Sequence, residues 1–162
     1  MMTAETEYIS QMFASALDYA KNGALKQSAT VLSQILTLSP DHLKSLDLMG
    51  YVQYFLKNPH EAARYCEKAL QIKPNHAYAL KGLGLSLAAC GKVDEGIARI
   101  KQAISASPHY FDPHWDLAVT LARAGRQKDA IAQIDKAIDA FPDQEKRLLF
   151  LKSRVENGLS ES

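Results

Sequence analysis

Residues 77–108 read AYALKGLGLSLAACGKVDEGIARIKQAISASP, and this stretch decides the architecture. Apolar residues recur at helical spacing before Gly91 and again after Lys92, which predicts two helices joined by a short turn. Gly91 suits the left-handed conformation that ends a helix, and Pro108 stands where the second helix must stop. Working outward, Pro40, Pro74, Pro108 and Pro142 are each 34 residues apart, and each follows an apolar helical stretch: VLSQILTLSP, KALQIKP, QAISASP and KAIDAFP. A fixed spacing of this length marks an internal repeat. The prolines divide the chain into units at about 9–42, 43–76, 77–110 and 111–144, followed by eighteen residues that begin like another unit.

Each unit holds two apolar stretches separated by turn residues: Asn22-Gly23, Asn58-Pro59, Gly91 and Gly125. Pro59 suits a first helical position behind a capping residue, and Glu61, three residues after Asn58, predicts a capping box. Asp41, Asn75 and Asp143 directly follow prolines and are expected to cap the next first helix. Nine helices are expected, four antiparallel pairs and one more at the C-terminus.

The third unit carries a large apolar residue, then Leu-Gly, a turn Gly, a small residue, a bulky one, an Ala and the closing Pro. In that order and spacing it resembles the tetratricopeptide repeat family, and the resemblance extends over roughly residues 9–144. Its physical sense is close approach of paired helices. Small residues recur on first helices at Ala16, Gly50, Gly84 and Ala118, and on second helices at Ser28, Ala62, Gly96 and Ala130. Larger side chains there would overpack the crossing. Leu32, Cys66, Ile100 and Ile134 are expected to fill the core of each pair, while Ala69, Ala103 and Ala137 let the next unit stack. The fourth unit departs from the pattern with His114 where a large apolar residue, often Trp, is expected, and Trp115 one place later. The first unit is loose, with Met12, Ser15 and Ser28 at framework positions, and the second lacks the turn Gly and uses Lys57-Asn58-Pro59.

The resemblance implies an all-α fold: one domain over 1–162, a right-handed α-solenoid of four helix-turn-helix units, and a capping helix at about 143–157. It further implies that first helices line a concave groove that binds peptides or helices. Residues one turn apart on those helices and not spent on the framework are Ser10, Phe13 and Leu17, then Lys44, Asp47, Tyr51 and Tyr54, then Tyr78, Lys81 and Leu85, then Asp112, Trp115, Val119 and Arg123. Of these, Phe13, Leu17, Tyr51, Tyr54, Tyr78, Lys81, Leu85, Trp115, Val119 and Arg123 form the candidate binding groove. An aromatic at helical spacing can equally serve the core, a reading that weighs most on Phe13, Leu17 and Leu85. Trp115 faces the groove if the fourth pair keeps the common register; a small rotation would bury it and turn His114 outward.

One class within the family holds the acidic C-terminal tail of a heat-shock chaperone with Lys, Asn and Arg on first helices. The matching positions here are Phe13, Leu17, Leu48, Tyr78 and Gly82, so that clamp is lacking. An apolar or amphipathic partner segment is expected instead, with apolar contact supplying most of the affinity.

The totals set bounds on function. Nineteen Lys and Arg against eighteen Asp and Glu give a net charge of +1 with the signs interleaved, so bulk charge attracts neither nucleic acid nor a membrane surface. The N-terminus MMTAETEYIS is acidic where a secretory signal is basic, and no stretch reaches the roughly 20 apolar residues of a membrane span. A cytoplasmic, reduced protein is expected, with Cys66 and Cys90 as small buried residues rather than a disulfide.

Five histidines show no HExxH, CxxC or phosphate-loop pattern, and His42 and His76 hold equivalent repeat positions. No cofactor, metal or catalytic group is expected, and a metal-dependent enzyme ranks last among the readings. The leading role is an adaptor or scaffold; the alternative is a type III secretion-type chaperone. At the C-terminus Leu148, Leu151 and Val155 are expected to cover the fourth unit with Gly158 ending the helix, while Leu149 and Phe150 exceed what a cap needs and suggest a homodimer through that end.

Overall fold

The computed structural model describes residues 4–158. Among them are nine α-helices and no strand: α1 (Ala4–Lys21), α2 (Leu25–Leu38), α3 (Leu43–Phe55), α4 (Pro59–Ile72), α5 (Ala77–Ala89), α6 (Val93–Ala106), α7 (Phe111–Arg123), α8 (Gln127–Ala140) and α9 (Glu145–Glu156). A 3-10 turn, Pro142–Gln144, leads into α9. Each helix packs on the next, and α3, α5 and α7 also touch in sequence, so the pairs stack into an all-α solenoid. The turns and crossings decide the shape.

The four turns inside the pairs share one geometry. Gly23, Gly91 and Gly125 have φ of 76°, 85° and 74°, and Lys57 takes the same left-handed conformation at 65°. In every case the next residue's N–H reaches back five residues: Ala24 to Tyr19, Asn58 to Gln53, Lys92 to Leu87 and Arg126 to Leu121. This satisfies an orphan carbonyl at the helix end. The second unit thus keeps the turn without its glycine, and Lys57 bears the conformational strain.

The crossings follow from side-chain size. Ala16, Ala62, Ala118 and Ala130 are fully buried, as are Leu32, Ile100 and Ile134 beside them. Ser28 joins the set because its Oγ donates to the carbonyl of Ala16 at 2.8 Å. Helices α5 and α6 meet through glycine on both sides: a Cβ on Gly84 would lie 2.7 Å from the carbonyl oxygen of Gly96 and 2.6 Å from Cγ1 of Ile100. Leu148, Leu151 and Val155 of α9 are buried against the fourth pair, and Gln127 Nε2 donates to the Val155 carbonyl at 2.8 Å.

Three local expectations are corrected. The caps of α3 and α5 are His42 and His76, one residue beyond Asp41 and Asn75, and α7 is capped at Tyr110; none makes a side-chain cap hydrogen bond. The reason is a tight turn after each helix: the N–H groups of His42, His76 and Tyr110 bond to Ser39, Lys73 and Ser107, which leaves the residue after the proline inside the turn. Asp143 likewise lies in the 3-10 turn, and α9 starts behind Gln144. The capping box does not form either: Asn58 donates to Gln53 Oε1 at 3.0 Å, and Glu61 pairs with Arg64 at 2.8 Å. Finally, both cysteines are free, but only Cys66 is buried; Cys90 is half-buried, with Sγ 3.5 Å from His60 Nδ1.

Candidate functional site

Because α3, α5 and α7 lie in sequence, side chains one turn apart on each converge on a cavity of about 640 Å³. Helix α3 contributes Tyr51, Tyr54 and Phe55; α5 contributes Tyr78, Lys81 and Leu85; α7 contributes Trp115, Asp116, Val119 and Arg123. Eight of the ten groove residues expected from sequence therefore line one space. Gly50, Gly82 and Cys66 also line it, and a Cβ on Gly82 would lie 2.8 Å from Cys66 Sγ. Phe13 and Leu17 do not line it. They pack on the N-terminal core cluster, with the Phe13 ring edge-on to His42 at 5.8 Å. Ser10 and Lys44 are exposed and also outside the cavity.

Lys81 is held rather than free. Its Nζ lies 3.5 Å from Asp112 Oδ2 and 3.9 Å from Asp116 Oδ2, and 5.1 and 5.4 Å from the ring centroids of Tyr78 and Tyr110. Tyr110 donates its hydroxyl proton to Asp112 at 3.2 Å. Burial pushes the Asp116 carboxyl up to about 6, against the pull of Lys81. Asp47 is raised by burial as well, even though its Oδ2 sits 2.7 Å from His76 Nε2; its Oδ1 is buried without a hydrogen-bond partner. Burial holds the Cys66 thiol and the Tyr78 phenol at about 12, so both are neutral groups in the cavity wall at physiological pH. His42 engages Ser45 one turn on, and His76 reaches across to Asp47 of α3. Among the described residues, no three His, Cys, Asp or Glu side chains converge as metal ligands.

With this geometry in place, two stretches of the chain, 43–76 and 81–145, match family models described as tetratricopeptide repeat. The chain belongs to the tetratricopeptide repeat family. A search of curated proteins gives no match. Among solved structures it is similar to a mutant O-GlcNAc transferase from Thermobaculum terrenum, with TM-score 0.80 and 23% identity over 87% of this chain and 28% of that one. It therefore spans little more than a quarter of that transferase. MamA from Desulfovibrio magneticus RS-1 follows with TM-score 0.75 and 22% identity over 85% of this chain and 77% of that one. A further MamA structure has TM-score 0.70 and 16% identity, covering 94% and 88%. These likenesses show a shared fold. No described helix is long and apolar enough to cross a membrane.

Within the tetratricopeptide frame the fourth pair keeps its register. His114 is buried, and Trp115 is half-buried and turned to the cavity. The imidazole replaces the usual large apolar residue because both nitrogens find partners: Nε2 meets the Pro108 carbonyl at 3.1 Å, and Gln133 Nε2 donates to Nδ1 at 3.3 Å. Phe141 covers it edge-on at 5.0 Å, and burial lowers its pKa.

Phe55 and Asp116 in the cavity wall, and Arg147 beside it, lie outside the groove set that the sequence implies. Phe55 follows Tyr51 by one turn, with the two rings tilted against each other at 4.6 Å, so its spacing is a usable signal. Asp116 follows Asp112 by one turn, so its spacing carries the same signal. Arg147, whose guanidinium lies over Trp115 and Phe111 at 5.2 and 5.4 Å, comes from α9, and no local spacing announces it.

Proposed function

We propose that the chain is a non-enzymatic interaction module that binds an apolar or amphipathic segment of a partner protein in the cavity of α3, α5 and α7. The observation that carries this reading is the convergence of Tyr51, Tyr54, Phe55, Tyr78, Leu85 and Trp115 on one open space. Aromatic anchors of this kind dominate interface energetics. The charged groups fit the same reading: Lys81 is already engaged by two carboxylates and two rings, which leaves it poorly placed to take up a terminal carboxylate. The module would serve an adaptor or scaffold.

The test begins with affinity capture of the partner and identification by mass spectrometry. Its affinity should change little with ionic strength, since screening weakens exposed charge contacts more than apolar burial. Tyr51→Ala and Trp115→Ala should each weaken binding by about 2 kcal/mol or more with helicity retained. Strong salt dependence, or Trp115→Ala unfolding the protein while binding persists, would refute the reading.

A second reading rests on α9. Leu149 and Phe150 are 49% and 65% exposed on its outer face, a patch suited to self-association of two copies. Sedimentation analysis should then find a dimer that Phe150→Glu dissociates, and a monomer at all concentrations rules this out.

A further inference from the structure

The cavity has a charged end, an apolar middle and a second charged end. Asp47, Lys81 and Asp116 lie in the first half of their helices, while Arg123 is the last residue of α7. Seven residues of helix separate Asp116 from Arg123, about 10 Å along the axis. Trp115, Val119 and Leu85 supply apolar surface between them.

At the first end the charges do not balance. Two carboxylates of the cavity wall, Asp47 and Asp116, and Asp112 beside it share the ammonium of Lys81 and the imidazole of His76, with Lys73 adding a further positive charge only toward Asp47. Lys81 stands nearer to Asp112 than to Asp116, so Asp116 has a shared and distant counter-ion. Among the described residues this is the only ion pair of Asp116, and Arg123 has none. A carboxylate with three quarters of its side chain covered and its one cation shared and at 3.9 Å gains from a second, closer cation. The clamp that other family members use presents cations to an anionic ligand; here the excess charge has the opposite sign.

We propose that the occupant of this groove is an amphipathic helix bearing a basic side chain that seats against Asp116. An acidic side chain seven positions away meets Arg123, and apolar residues between them cover Trp115 and Leu85. The proposal rests on the groove reading above and adds its polarity. Charge complementarity carries it: the spacing of the two open charges matches two turns of helix, and the surface between them is apolar.

The test uses the full chain and synthetic, end-blocked Leu/Ala helical peptides of one length. One peptide carries Arg and Glu seven positions apart; a second replaces Arg by Gln, and a third replaces Glu by Gln. Dissociation constants are read for the wild type, Asp116→Asn and Arg123→Gln. Removing the peptide's Arg should weaken binding to the wild type about tenfold and to Asp116→Asn less than about twofold. Removing its Glu should weaken binding to the wild type about threefold, with no effect on Arg123→Gln, a site too exposed to disturb folding. If all three peptides bind the wild type equally and Trp115→Ala weakens each, the groove reading stands and the basic anchor is refuted. If none binds, or Trp115→Ala changes nothing, the groove reading fails and the anchor with it. A uniform loss for every peptide in Asp116→Asn, with circular dichroism unchanged, would assign Asp116 to groove shape and also overturn the proposal.

Discussion

Gly84→Ala adds one carbon to the crossing of α5 and α6, and the structure sets the size of the effect. The new Cβ would lie 2.6 Å from Ile100 Cγ1, 2.7 Å from the Gly96 carbonyl oxygen and 3.0 Å from the Ile100 amide nitrogen. Two of these neighbours are backbone and cannot swing aside, so the helices must part. Alanine gains about 1 kcal/mol over glycine in helix propensity, and overpacking costs about 1–3 kcal/mol, with backbone contact favouring the upper half. The net loss should be roughly 1–2 kcal/mol, or a fall in Tm of about 2–8 °C. The control is the equivalent position in α3. A Cβ on Gly50 would meet Cys66 Sγ at 3.0 Å and the Ala62 oxygen only at 3.6 Å, so a side chain can yield. Gly50→Ala should therefore change stability by no more than about 0.5 kcal/mol. Urea unfolding followed by circular dichroism measures both, with the m-value expected to stay constant. A Gly84→Ala variant as stable as the wild type, or a Gly50→Ala variant equally damaged, would refute the assignment of the crossing.

Two further outcomes follow from the charges and the closing helix. Asp116 moves from the ordinary 3.8 to about 6 in the fold, so the folded state holds its proton more tightly than the unfolded chain. The stability this contributes is present below about pH 4 and lost as pH rises through about 6, at most roughly 3 kcal/mol at about 1.4 kcal/mol per pH unit, and less because the side chain is partly solvated. Asp116→Asn should thus exceed the wild type in stability by roughly 1–2 kcal/mol at neutral pH, with the gap narrowing toward about pH 4. His42 and His114, lowered by burial, act in the opposite sense but cancel in this difference. A gap independent of pH would refute the burial argument. Removing residues 145–162 uncovers the surface under Leu148, Leu151 and Val155, and should destabilise the fourth pair and cause aggregation, as read by light scattering during thermal unfolding. A truncated chain as stable and dispersed as the full one would show that α9 is no cap.

Much of the fold was legible because the repeat writes each constraint several times. Pro40, Pro74, Pro108 and Pro142 stop four helices, and the small residues at Gly84 and Gly96 face each other as their spacing implies. The helix starts were less legible. Asp41 and Asn75 are good capping residues by type, but the turn that follows each proline advances the start to His42 and His76. Residue type was outweighed by turn geometry. In the cavity wall, Tyr51, Tyr78, Leu85, Trp115 and Val119 could be read from one-turn spacing, since α3, α5 and α7 repeat a common orientation. Phe13 and Leu17 obey the same spacing, yet the cavity closes over the three later helices, and these two join the core around His42. Asp116 and Arg147 depend on which helices meet, a property that the repeat period alone does not contain.

The chain has a single tryptophan, which lies under the guanidinium of Arg147 from the closing helix and also lines the cavity. Trp115 is therefore an intrinsic optical probe placed at the junction of two events. Lifting of α9 removes the cation from the indole and admits water, whereas a segment entering the groove displaces water and leaves the guanidinium in place. The two perturbations move the emission maximum in opposite directions, to the red and to the blue. Unlabelled protein can thus report detachment of its last helix and entry of a segment into the proposed groove in the same titration. Any change at Arg147 will shift the fluorescence baseline even where affinity is untouched.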